Sequence, residues 1–240
     1  MIEWLGILAW LMVTILIGTV TTLLGKKYGV EYLIAMFVGA IVIANAVASK
    51  MISIGPFTTS AALVVYSITF LLTDTISEFW GKKEARKAVW SGFLALIMLV
   101  FVTQISIALT PASFWEGQEA FKFIFGNTWR VALGSFIAYA IAQNHDVWSY
   151  HWWMRKTGRK HMWMRNNFST WISQTIDTLI FVTIAFYGIF PIGGLIVSTI
   201  FLKMVIAAVD TPFLYFIKWY YEKTGKRWKG KPTSLNVPGI

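Results

Sequence analysis

Long apolar runs alternate with short polar or basic segments along this chain. A membrane strand would read as about ten residues of alternating character. These runs do not alternate and are about twice that long, the length of a helix crossing a bilayer. The pattern predicts seven spans, at roughly 4–24, 32–54, 58–79, 88–110, 129–149, 168–190 and 194–218. The expected fold class is therefore all-α, a polytopic bundle of membrane helices.

Composition agrees with that reading. The 240 residues are 57% hydrophobic and 13% charged, where a soluble domain carries about 25% charged residues. The net charge of +10 raises the question of nucleic acid, and the placement of the charges answers it. Seventeen of the 21 Lys and Arg fall in four clusters, after spans one, three, five and seven. The intervening connections, "SIGPF", "TPASFWEGQEAFKFIFGNT" and "YGIFPIGG", hold two glutamates and one lysine. Topology explains this pattern, so no nucleic acid is expected as a partner. The positive-inside rule places the N-terminus outside and the C-terminus in the cytoplasm. The opening "MIEW" lacks the basic start of a signal peptide, which makes the first span an uncleaved anchor, facing lipid or packed at an edge. The tail "EKTGKRWKGKPTSLNVPGI" reads as a membrane-surface segment with a disordered end.

Polar residues inside these runs need a reason, because a charge at the bilayer centre costs at least ~2.5–3.5 kcal/mol. In span six, Asn167, Thr170, Ser173, Gln174, Asp177 and Thr178 recur every three or four residues and form one stripe. Asp177 falls near the midplane. Lys203 falls at similar depth in span seven, with Asp210 two turns further in. Span five carries Tyr139, Gln143 and Asp146 on one face. Span two places Asn45 near the midplane and Ser49 one turn outward. Span three has Asp74 and Glu78 one turn apart toward the cytoplasm, Glu78 also being in reach of Lys82 at i+4. Interhelical glue explains any single Ser, Thr or Asn. Five acids facing few bases fit a solvated cavity or ligand site better. Of the 13 Trp, those such as Trp80, Trp152, Trp153, Trp163 and Trp219 read as belt anchors, whereas Tyr139, Tyr66 and Phe70 are stacking candidates.

Several chemistries are excluded or disfavoured. The chain has no cysteine, so it has no disulfide and no thiolate site. It has no P-loop, no H-E-x-x-H and no G-x-S-x-G motif. His145, His151 and His161 lie near or in a basic loop and read as solvated side chains rather than metal ligands. Neither metal nor cofactor is expected, and the chain does not read as an enzyme.

Four segments carry a resemblance: "FLLTDTISEFWGKKEARKA" (70–88), "RVALGSFIAYAIAQNHDV" (130–147), "NNFSTWISQTIDTLIFVTIAF" (166–186) and "LKMVIAAVDTPFLY" (202–215). Together they resemble the queuosine precursor transporter family, earlier named as a vitamin uptake family, over about residues 31–220. Phe79-Trp80-Gly81 departs from that family's more usual Val-Tyr-Gly.

The resemblance implies import of 7-deazaguanines, such as 7-cyano- or 7-aminomethyl-7-deazaguanine, through the cell inner (cytoplasmic) membrane. It also implies a six-span core over 31–220. Residues 1–30 then form an added N-terminal helix with a basic loop, and 221–240 a basic tail. A guanine-like base offers two adjacent N–H donors and a carbonyl. A carboxylate accepts from the donors, and an amide or ammonium donates to the carbonyl. Asp177 or Asp74 suits the first role; Gln143, Gln174, Asn45 or Lys203 suits the second; Tyr139 suits stacking. Asp177 is the expected carboxylate, with Asp146 also lining the site. Glu78, Ser49, Thr170, Ser173 and Asp210 are supporting or gating candidates. The polar inventory equally fits another flat heterocycle, a vitamin or purine. Without a P-loop, proton coupling, facilitated diffusion with trapping, and an external ATPase module all remain open. Small residues such as Gly92, Gly134, Gly188, Gly193 and Gly194 permit close helix contacts within a chain or in a homodimer.

Overall fold

The computed structural model describes residues 2–156 and 162–223. The elements run in chain order through seven long helices, one short helix and a hairpin. They are α1 (Ile2–Tyr28), α2 (Glu31–Ala46), β1 (Met51–Ile54), β2 (Phe57–Ser60), α3 (Ala62–Phe79), α4 (Lys82–Ala108), α5 (Gln118–Phe125), α6 (Thr128–Lys156), α7 (Met162–Phe186) and α8 (Ile192–Lys223). The seven long helices fall where the seven apolar runs are. By length and composition alone, Ala9–Tyr28 and Lys82–Ala108 suffice to cross a bilayer, and shorter apolar stretches lie in α2, α3, α7 and α8.

The outward surface carries large apolar side chains. On α4, Leu94, Ile97, Met98 and Phe101 are each about two-thirds exposed. They recur at i, i+3, i+4 and i+7, which makes one apolar stripe along the helix. Inside, one core joins α1, α2, α3, α4 and α8 through Ile15, Leu33, Leu72, Ile76, Ala88 and Ile217. A second joins α6, α7 and α8 through Val131, Val182, Phe186 and Leu195. α1 packs at the edge, burying Leu11 and Ile15 while Val13, Leu16 and Val20 stay exposed.

The helical expectation fails between residues 47 and 61. The predicted span 32–54 ends as a helix at Ala46, and the predicted span 58–79 begins as one only at Ala62. Between them, β1 and β2 pair antiparallel, with Met51 opposite Ser60 and Ile54 opposite Phe57. The two-residue turn is Gly55-Pro56. Gly55 has φ +58 while proline is locked near −65°, the requirement of a type II′ hairpin turn. Asn45 therefore sits in the last turn of α2 rather than midway along a long span.

Two further differences concern side chains. Trp80 is 5% exposed and belongs to the first core, so it is not a belt anchor; Trp152 and Trp219 do lie outward. Gly92 and Gly134 serve contacts within the chain, against Phe37 and against the Phe181 carbonyl, while Gly193 and Gly194 face open space. His161 and the tail beyond Lys223 lie outside the described residues.

Candidate functional site

α7 and α8 run antiparallel, joined by a short turn at residues 187–191. Asp177 lies nine residues before the end of α7, and Lys203 lies eleven after the start of α8. At 1.5 Å per residue both are about 14–16 Å from the turn, half the thickness of a ~30 Å hydrocarbon core. There the Lys203 Nζ donates to Asp177 Oδ2 at 2.6 Å. The side chains are 7% and 17% exposed. A short ion pair removed from solvent leaves neither charge unpaired.

An aromatic side chain of α3 lies near Asp177 and links it to a second on α6. Tyr66 of α3 lies within electrostatic reach of both Asp177 and Tyr139. Tyr139 of α6 meets the Phe93 ring of α4 edge-on at 5.5 Å, and Phe70 meets Tyr66 the same way at 5.2 Å. Four helices thus bring an acid, a base and two phenols to one region. Gln174 adds an acceptor one turn from Asp177: its Oε1 is buried with no hydrogen-bond partner among the described residues. Asn45 Oδ1 and Thr75 Oγ1 are buried and unpartnered in the same sense.

The hairpin reaches inward toward the pair. Thr59 Oγ1 and Thr199 Oγ1 are 3.0 Å apart, the Thr58 N–H donates to Ser198 Oγ at 3.2 Å, and the Phe57 and Phe201 rings stack at 4.6 Å. Thr199 lies one helical turn from Lys203 and about 10 Å inside the start of α8. Strand backbone at that depth is tolerable only where protein covers it. Ile54, Thr59 and Ser60 are buried accordingly. Sequence reading missed this arrangement; its signal was the Gly-Pro turn between "MISI" and "FTTS".

On the other side of Asp177, Ser173 meets His145. The His145 Nδ1 and Ser173 Oγ are 3.1 Å apart. His145 is half-buried rather than solvated. The reason is its place on the α6 face that carries Ala138 and Ala142, both buried, whose small side chains let α7 come close. The far end of α7 is held too. Arg130 donates from Nε to the Ile184 carbonyl and from Nη2 to the Tyr187 carbonyl, each at 2.9 Å. Asn127 Nδ2 donates to the Ala185 carbonyl at 2.8 Å. These donors satisfy carbonyls that a helix end leaves open.

The other expected site residues divide. Ser49 donates to the Ile124 carbonyl at 2.8 Å, which ties the chain after α2 to α5. Asp74 lies on α3 with an exposed side chain. The side chains of Glu78, Gln143, Asp146, Thr170 and Asp210 lie outside the described residues, though their backbones are helical. No group of three potential metal ligands occurs among the described residues.

Known proteins match this chain in sequence. The family model described as "Putative vitamin uptake transporter" matches residues 60–217. The "Probable queuosine precursor transporter" of Bacillus subtilis is 35% identical over 213 residues, covering 87% of this chain and 93% of that protein. The "Queuosine precursor transporter" of Escherichia coli is 29% identical over 136 residues, covering 57% and 59%. A "Probable queuosine precursor transporter" of Haemophilus influenzae is 27% identical over 124 residues, covering 52% and 50%. These relatives are transporters by name, not enzymes. No solved structure matches.

Proposed function

Because this chain belongs to the queuosine precursor transporter family, we propose that it imports queuosine precursors through the cytoplasmic membrane. The cargo is a 7-deazaguanine, of which the 7-cyano and 7-aminomethyl forms are the expected examples. The proposed orientation is N-terminus outside and C-terminus in the cytoplasm, with the basic clusters inward.

The observation that carries this reading is the buried Asp177–Lys203 pair at mid-depth. A neutral base can enter between the two side chains without leaving either charge bare. Its two adjacent N–H donors go to the Asp177 carboxylate, and its carbonyl accepts from the Lys203 ammonium. The pair's own hydrogen bond is exchanged for three to the cargo. Gln174 Oε1, buried without a partner, offers an acceptor for a further N–H. Tyr66 and Tyr139 supply flat walls for the ring. The hairpin shields the outer side of the pair through Thr59, and the His145–Ser173 contact lies on its cytoplasmic side.

The test uses a strain lacking both synthesis and import of these precursors. The wild-type chain restores queuosine in tRNA when 7-deazaguanines are supplied, and Asp177→Asn at equal membrane abundance does not. Full restoration by Asp177→Asn would remove the carboxylate from the reading. No restoration by the wild type would remove the cargo.

A further inference from the structure

Away from the Asp177–Lys203 region, a groove of about 560 Å³ opens outward between α1 and α2, with Ile68 of α3 at its floor. Thr14, Ile17 and Leu24 form one wall; Tyr32 and Gly39 form the other. Beyond Tyr32 at its mouth, the groove is lined almost wholly by apolar groups. The Thr14 hydroxyl donates to the Trp10 carbonyl and the Thr21 hydroxyl to that of Ile17, both at 2.8 Å. A Cβ added at Gly39 would meet no atom within 4 Å, so the space there is empty of protein.

Length and charge identify the occupant. Thr14 to Leu24 is ten helical residues, about 15 Å, which equals half of a ~30 Å hydrocarbon core, or one leaflet. An acyl chain matches that length and asks only for an apolar lining, which the groove supplies, and an anionic headgroup matches the charge at its end. The groove's mouth is basic and aromatic. Lys27 follows Leu24 by three residues, on the same helix face, and its Nζ lies 4.9 Å from the Tyr28 ring. The Tyr28 and Tyr32 rings are 5.6 Å apart and each is about half exposed. Lys26 turns to the Tyr220 ring instead. The acid nearest the mouth in sequence, Glu31, has its carboxylate folded back beside Gly29.

We propose that this groove is a binding site for an anionic glycerophospholipid of the cytoplasmic leaflet. One acyl chain lies between α1 and α2, and the phosphate meets the Lys27 ammonium with the hydroxyls of Tyr28 and Tyr32. The assignment of the leaflet rests on the orientation proposed above; the binding chemistry does not. A basic side chain beside an anionic headgroup contributes about 1 kcal/mol, close to a fivefold preference.

The test is native mass spectrometry of the full chain, delipidated in detergent, with phosphatidylglycerol and phosphatidylcholine of identical acyl chains. The wild type is expected to retain one phosphatidylglycerol about fivefold in preference to phosphatidylcholine. Gly39→Trp fills the groove and loses that adduct, and Gly39→Leu serves if the larger residue prevents folding. Lys27→Gln keeps an adduct but no longer discriminates the headgroups. Equal binding of both lipids by the wild type, or an unchanged adduct in both Gly39 variants, would overturn the proposal. So would a mass-doubled species that Gly39→Leu dissociates, because the occupant would then be a second copy. Loss of the adduct with uptake intact leaves the transport reading standing, and loss of uptake with the adduct intact strikes only that reading.

Discussion

The Lys203 ammonium donates to the Asp177 carboxylate at 2.6 Å, across the α7–α8 contact and about midway between the ends of the apolar core. Each side chain alone would be a large liability at that depth. Their pairing explains how both persist, and the proposed mechanism exchanges that bond for bonds to the cargo.

Removing one partner leaves the other charged and buried. Lys203→Met is expected to destabilise the protein by about 3–5 kcal/mol. Replacing both by apolar residues of similar size, Asp177→Leu with Lys203→Met, should recover most of that loss. Thermal unfolding in detergent checks both. Uptake should be absent from both variants. Recovered uptake in the double variant would make the pair structural glue.

The hairpin's hold on α8 is testable through its hydroxyls. Thr59→Val leaves the Thr199 hydroxyl without its partner, at a cost of about 1–3 kcal/mol, whereas Thr59→Val with Thr199→Val should be closer to neutral. A double-mutant cycle on thermal stability measures the coupling. Zero coupling would mean the 3.0 Å contact contributes nothing.

Arg130 carries two bonds to the end of α7. Arg130→Ala should lower stability by about 1.5–3 kcal/mol per charged hydrogen bond lost at most, since water reaches the Tyr187 side. Uptake per folded molecule should be unchanged. A melt showing no shift would contradict the capping role.

The proposed topology has a direct check, because the chain has no cysteine. A cysteine at Lys27 should react with a membrane-impermeant maleimide only after the cells are opened. One at Tyr187, which is 65% exposed, should react in intact cells. The opposite pattern would invert the orientation.

The helices were legible because apolar runs of membrane length are a strong signal, and the α7–α8 pair was legible because two antiparallel spans fix relative depth by counting. The hairpin was not legible: Met51, Ile52, Ile54 and Phe57 are as apolar as the helices they interrupt, so a window of 20 residues passes over them. His145 was misread because proximity in sequence to a basic loop says nothing about the helix face, which Ala138 and Ala142 turn toward α7. Trp80 was misread for a similar reason. Aromatics near a span end usually anchor at the interface, but here the chain turns at Gly81, with φ +88, and carries Trp80 inward. Which helices lend aromatics to the site depends on packing across α3, α6 and α7, and no spacing within one helix encodes that.

The charge-swapped variant Asp177→Lys with Lys203→Asp tests the central claim most directly. It keeps an ion pair at the same depth but moves the carboxylate to α8 and the ammonium to α7, so the cargo's donor and acceptor edges face the wrong partners. The measurement is uptake of labelled 7-cyano-7-deazaguanine at matched abundance of folded protein. The account predicts a stable protein with no uptake. Wild-type uptake by the swapped protein would contradict it, because the pair would then serve the fold alone.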